Sequence, residues 1–349
     1  MRLAKLSSLA GAIALLATTG GTGPATAQDV SLVFAATGPP TVASRRVVLR
    51  DFQNKYDELT GGKVKVKFHL TGDLCVEHQC VEYARIRSID TTILSCGNMG
   101  AFGLTMNFTE LPYIFKDSVG AKKVLDGWLR KKLIETAQTV EKVQTMGIFP
   151  SGGFRGLNNN IKQIKVPGDL KGIKIRTTKS PAEFSIIDAW GAIATPYDWA
   201  QMWEGLQNKV VNGMYIPWPW LYQVKMYEVI THFTKTGGLW GGNVMVMDRA
   251  RYLDLPKDIQ KATDEVGIYM TDAIFEADKA WEKSSWDDLK AQGVNMYEPT
   301  EAEMALWRDG AINAWKKLKG TFDPKDAERT LADQGMTDII AKMKKAGVL

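Results

Sequence analysis

Between Pro256 and Gly293 the sequence carries a long uninterrupted helical pattern, with Ile259, Val266, Tyr269, Ala273, Ala277, Trp281 and Leu289 recurring at spacings near three and four. About 36 residues at roughly 1.5 Å each make a rod of about 54 Å. That exceeds one small domain, so the pattern predicts a helix running across two. The length of 349 residues allows two domains, and 45% hydrophobic and 24% charged residues exclude a disordered chain. The formal charge of +5 is small and unclustered, which argues against a nucleic-acid partner.

Upstream of the rod, strands alternate with helices. VSLVFAA (30–36) reads as a buried strand followed by a Gly-Pro-Pro turn. A helical stretch carrying Val47, Val48, Phe52, Tyr56 and Leu59 follows, stopped by Gly61-Gly62. KVKVKFHL (63–70) alternates as a half-exposed strand does, a helix near 76–87 comes next, and TTILSC (91–96) is another strand. GIKIRTT (172–178) leads into Ser180-Pro181-Ala182-Glu183, a capping box with proline at the first helical position, and Gly191 ends that helix. After a helix started by Asp198 come the strands VVNGMYI (210–216) and NVMVM (243–247). The class is α/β. No linker rich in proline, glycine or serine separates domains, which predicts lobes joined by several strands.

Arg2 and Lys5, the apolar run Leu9 to Ala17 and Ala25-Thr26-Ala27 read as a secretory signal peptide over 1–27, cleaved after Ala27. Loss of Arg2 and Lys5 takes the charge from +5 to +3. No later stretch reaches about 18 apolar residues, so the exported chain is not expected to span a membrane. Of three cysteines, Cys75 and Cys80 are close enough to pair in an oxidising compartment. Free thiols, or a metal site with His69 and His78, are alternatives, but no second ligand pair supports a metal.

Catalytic patterns are thin. The three histidines, His69, His78 and His232, lie in no HExxH, and no GxSxG elbow is present. SGGFRG (151–156) lacks the Lys-Ser/Thr of a phosphate loop, so its glycines let the backbone turn or approach a ligand. Arg176 ends an otherwise apolar strand just before a capped helix, where ligands of open α/β sheets bind, and it offers a planar fork for a carboxylate or sulfonate. Arg155 opens the same region, and a surface or interdomain salt bridge is the alternative role for these arginines.

The stretch 166–214 resembles the solute-binding subunits of TRAP transporters, the DctP-type proteins. The resemblance rests on Asp169-Leu170-Lys171-Gly172, Arg176, Gly191-Ala192, Gly205-Leu206-Gln207 and Val210-Val211-Asn212-Gly213. LPYIF (111–115) and LDLPKDIQKATDEV (253–266) extend it over nearly the whole chain. It implies a two-lobed periplasmic binding protein fold with the long helix bracing both lobes. Lobe one would comprise 28–150 plus 240–280, and lobe two 151–239 plus 281–349. It further implies that the protein is not an enzyme, needs no cofactor or metal, and delivers a small organic acid to membrane permease subunits. The carboxylate anchor of the family maps onto Arg176, and a second arginine onto Arg155.

Where many members carry Gln-Glu-Asn, this chain has Met214, Tyr215 and Ile216, and Asn212 replaces an aspartate. Pro217-Trp218-Pro219-Trp220 follows. The segment is apolar and aromatic, which predicts a ligand with an acid head and a hydrophobic or aromatic body. A zwitterionic compatible solute held over tryptophan faces, or a sulfonate, is the alternative. A periplasmic enzyme acting on aromatic acids is a further one. Six of the 11 tryptophans fall between 190 and 240. Trp190, Trp199 and Trp203 are read as packing on helices, and Trp218 and Trp240, in loops by strand ends, as walls of the cleft. Asn212 and Tyr215 join the candidate site, with Phe34, Cys96 and Asn98 on the opposing face.

Overall fold

The computed structural model describes residues 29–349, so the expected signal peptide lies outside the described residues. Two sheets organise the chain. The first contains β1 (Val30–Ala36), β2 (Val64–His69), β3 (Thr91–Ser95), β4 (Val143–Phe154) and β10 (Trp240–Asp248), in the order β2-β1-β3-β10-β4. The second contains β5 (Gly156–Asn159), β6 (Lys174–Thr177), β7 (Ile193–Pro196), β8 (Gly213–Ile216), β9 (His232–Thr234) and β11 (Asn295–Tyr297), in the order β11-β9-β5-β8-β6-β7. β1 pairs in parallel with β2 and β3, β6 pairs in parallel with β7 and β8, and β10 runs antiparallel between β3 and β4.

The helices are α1 (Ala43–Thr60), α2 (His78–Arg85), α3 (Ser118–Leu125), α4 (Trp128–Thr139), α5 (Pro181–Ala189), α6 (Met202–Gln207), α7 (Trp218–Gln223), α8 (Arg249–Asp254), α9 (Lys257–Ala291), α10 (Glu301–Lys317), α11 (Pro324–Ala332) and α12 (Thr337–Lys345). α1 buries Val47, Val48, Phe52 and Tyr56 against the first sheet and stops at left-handed Gly61, whose N–H reaches the Asp57 carbonyl at 2.9 Å. α5 is capped by Ser180, whose hydroxyl accepts from the Glu183 N–H at 3.2 Å. The second half of the expected capping box is not made. The Glu183 carboxylate instead accepts from the Thr178 N–H at 3.0 Å and the Thr178 hydroxyl at 2.5 Å.

Helix α9 has 35 residues, or about 52 Å of rise. Its N-terminal half places Ile259, Val266, Met270 and Ile274 in the first core, while Leu289 belongs to a core of the second lobe. Trp281 lies between them against Val42 and Ala43. The chain also passes between sheets at Arg155, which separates β4 from β5, and at 235–239, which separates β9 from β10. The two passages are bonded, Arg155 N–H to the Leu239 carbonyl at 2.8 Å and Gly237 N–H to the Arg155 carbonyl at 3.1 Å. After α9 the chain departs from the expected division. α10 puts Trp307 in the second core and Trp315 in the first, and Leu331, Met343 and Val348 pack in the first. Tryptophans at positions eight apart are slightly more than two turns apart, so α10 can bridge the lobes along one face.

Candidate functional site

The carboxyl ends of the parallel strands of both sheets face one cavity of about 70 Å³. Thr37 follows β1, Ser95 ends β3, Thr178 follows β6 and Ile216 ends β8, and all four line it. Arg45 from the first turn of α1, Glu77 at the start of α2, Asn98, Arg155, Arg176, Trp199 and Trp220 complete its polar and aromatic walls.

Arg176 is only 4% exposed. Its Nε donates to the Tyr197 carbonyl at 2.8 Å, which fixes the plane of the guanidinium. Among the described residues its two Nη groups have no acceptor. Burial pulls its pKa down, opposed by Glu183 and Glu77. A buried fork with unused donors at a cavity wall is built to receive an anion. Trp199 stacks over it, with the guanidinium carbon 5.7 Å from the ring centroid.

Arg155 also lines the cavity, but its guanidinium is committed elsewhere. One Nη donates to Glu110 at 3.0 Å, and the other to the Tyr215 carbonyl at 3.2 Å while lying 3.8 Å from Glu183. Both carboxylates are 0% exposed. Glu110 precedes the first-lobe core segment 111–115 and Glu183 lies on α5, so Arg155 ties the lobes together where the chain passes between them. Burial, countered chiefly by Arg155, pushes the Glu110 carboxyl above its ordinary range.

Asn98 also bridges, donating to Glu77 Oε2 at 2.6 Å and accepting from the Lys179 N–H at 3.3 Å. Arg45 donates through Nε and Nη2 to the Thr37 carbonyl at 3.2 and 2.7 Å. Burial pulls its pKa down to about 10. The Trp220 indole N–H reaches the Ser151 carbonyl at 3.0 Å, closing the wall between β4 and α7.

The structure therefore brings together Arg176, Arg155 and Asn98 of the expected set and places the rest outside the cavity. Trp218 packs on Trp286 and Phe233, and Trp240 lies between Phe115 and Phe275. Tyr215 packs edge-on against Trp190, and Phe34 against Phe52. Asn212 accepts from the Lys174 N–H at 3.0 Å, holding β6 rather than a ligand. Cys96 is buried in the first core, and burial pushes its thiol up to about 12. Trp199, read as packing, packs against a core of the second lobe and also forms part of the wall. Arg45, Glu77 and Trp220 were not anticipated. Cys75 and Cys80 are disulfide-bonded, and no metal-ligand cluster occurs among the described residues.

The glycines of SGGFRG have a structural task. Gly152 and Gly153 have φ of 88° and 78°, and a Cβ on Gly153 would lie 2.7 Å from the Glu282 carboxylate. The Gly152 N–H donates to Asp278 at 2.7 Å. Burial raises the Asp278 carboxyl to about 7, with Glu282 adding to the rise. A carboxyl whose folded pKa lies above its unfolded value favours the folded state fully only below the unfolded pKa, near 4. That contribution is lost as pH rises through about 7. Asp278→Asn is expected to flatten this decline, which is at most about 1.4 kcal/mol per pH unit. Urea unfolding of both proteins at pH 4.5, 6 and 8 checks it, and a parallel decline in the variant would exclude Asp278 as the source.

The profile of the bacterial extracellular solute-binding proteins, family 7 (DctP), matches residues 40–321. The chain belongs to this family. The 2,3-diketo-L-gulonate-binding periplasmic protein YiaO of Escherichia coli is 25% identical over 257 residues, spanning 72% of this chain and 76% of that protein. The C4-dicarboxylate-binding periplasmic protein DctP of Rhodobacter capsulatus is 24% identical over 292 residues, spanning 82% and 85%. The sugar acid binding protein DctPAm of Advenella mimigardefordensis, in complex with galactonate, aligns with a TM-score of 0.82 at 21% identity over 91% of this chain and 99% of that one. A TRAP periplasmic solute binding protein of Sulfurospirillum deleyianum with bound succinate aligns at 0.80 and 20% identity over 87% and 99%. At these identities the solved structures establish the fold, which is the two-lobed α/β fold expected from the sequence. DctP family members are extracytoplasmic solute-binding proteins of transport systems, not enzymes. Within the described residues of this member no helix is long and apolar enough to cross a membrane.

Proposed function

We propose that the protein captures a small organic acid in the interlobe cavity and delivers it to TRAP permease subunits in the membrane. The observation that carries this reading is Arg176, a buried guanidinium whose two Nη groups have no acceptor among the described residues, lining the cavity from β6. Arg155 acts as the brace between lobes rather than as a second anchor, because Glu110 and Glu183 already engage it. Ile216, Pro217, Trp199 and Trp220 give the ligand's body an apolar and aromatic surround. A signal peptide cleaved after Ala27 would place the protein in the periplasm.

A thermal-shift screen of carboxylates, sulfonates, betaines and neutral sugars tests the reading. A ligand at 100 times its Kd adds about 2.7 kcal/mol, a rise of several degrees. Carboxylates are expected to give that rise. Stabilisation by neutral sugars with every carboxylate inert would refute it.

A further inference from the structure

Among the described residues Glu77 is the one carboxylate on the cavity wall, which it shares with Arg45, Arg155 and Arg176. Its backbone sits at φ 44° and ψ −117°, a conformation that costs a residue with a side chain and persists only where its surroundings enforce it. Three restraints enforce it here. The Cys75–Cys80 disulfide closes the loop around it, its N–H donates to the Thr37 hydroxyl at 2.8 Å, and its Oε2 accepts from Asn98 at 2.6 Å. Among the described residues Oε1 has no protein donor, so one acceptor is held ready at the cavity.

The charges point the same way. Arg155 is engaged by Glu110 and Glu183, and Arg45 by the Thr37 carbonyl and the Ser44 hydroxyl, which leaves Arg176 as the one cavity arginine, among the described residues, with two open Nη groups. A second ligand carboxylate would find no second open guanidinium among the described residues and would meet Glu77 as a like charge. The cavity of about 70 Å³ holds about five to seven waters by the same measure, the size of a three- or four-carbon acid.

We propose that the ligand is a small monocarboxylate bearing a hydrogen-bond donor, a hydroxyl or an ammonium group, with its carboxylate on the Arg176 fork and its donor on Glu77. This rests on the reading of the cavity as a carboxylate site. The Cys75–Cys80 ring is then part of the specificity device, because it holds Glu77 in place.

Calorimetric titration of the purified exported chain with propanoate, lactate, alanine, malonate and benzoate tests the assignment. Lactate or alanine is expected to bind at least ten-fold tighter than propanoate and malonate. Glu77→Ala removes that advantage, so that lactate and alanine bind this variant no tighter than propanoate does. Glu77→Gln keeps the advantage of a hydroxyl and loses that of an ammonium, which tells the two donors apart. Glu77→Lys gains malonate at least ten-fold. Reduction with dithiothreitol weakens the preferred acid several-fold without moving propanoate. Propanoate, malonate or benzoate binding as tightly as lactate and alanine, or an unchanged order in Glu77→Ala, overturns the assignment while leaving the carboxylate site standing. Failure of all five acids to bind also overturns the assignment, and the thermal-shift screen then decides whether the carboxylate site stands.

Discussion

Arg176→Ala is expected to weaken binding of the acid by about 2–5 kcal/mol, or about 30-fold to several thousand-fold, without destabilising the unliganded protein. The two halves of this prediction have one physical cause. Arg176 is a buried cation whose only hydrogen bond among the described residues goes from Nε to the Tyr197 carbonyl. Its desolvation is therefore repaid by ligand and not by the fold. Truncation relieves that penalty in the empty protein and removes the bidentate contact in the complex. Arg176→Lys keeps the charge but loses the planar fork, so it should fall between the two. Calorimetry and thermal unfolding separate the roles. A residue with only a structural task would lower the unliganded melting temperature and leave the Kd alone.

Arg155→Met is expected to do the opposite, costing about 3–5 kcal/mol of stability. It would leave Glu110 and Glu183, both fully buried, with no cation between them. Glu110→Gln should cost much less. Burial already disfavours the charge on Glu110, and Arg155 retains Glu183 at 3.8 Å. The test is urea unfolding at pH 7. Equal losses in the two variants would show that the pair Arg155 and Glu110, rather than the guanidinium placed between two carboxylates, carries the stability. Arg155 thus joins Glu110, beside the first core, to Glu183 on α5 where the chain passes between the sheets.

The elements that were legible in the sequence are those set by local pattern. β1 coincides with VSLVFAA, α1 ends at Gly61, and α9 occupies the long helical pattern almost to the residue. The place of Arg176 on the cavity wall was legible because it ends a strand just before a capped helix, where the clefts of open α/β sheets lie. The tryptophans were not, because a site wall depends on which way a short element faces. Trp218 and Trp220 are two positions apart on one helical turn and so point to opposite sides. Trp218 enters the core by Phe233 while Trp220 reaches Ser151 at the cleft. Trp199 follows β7 on a single short turn, not on a packed helix face. Arg45 was hidden for the same reason. It is 3% exposed while its neighbour Arg46 is exposed, and nothing in SRRVV distinguishes them. Glu77 was hidden because its position depends on a backbone strain imposed by a disulfide and a bond to Thr37 forty residues away.

The most direct measurement is mass spectrometry of small molecules released from protein purified from the periplasm without refolding, for wild type and Arg176→Ala side by side. The wild type is predicted to release a small carboxylic acid in amounts approaching one per chain, and Arg176→Ala, folded and equally stable, to release none. A neutral compound from the wild type, or the same acid retained equally by both proteins, would contradict a carboxylate site built on Arg176.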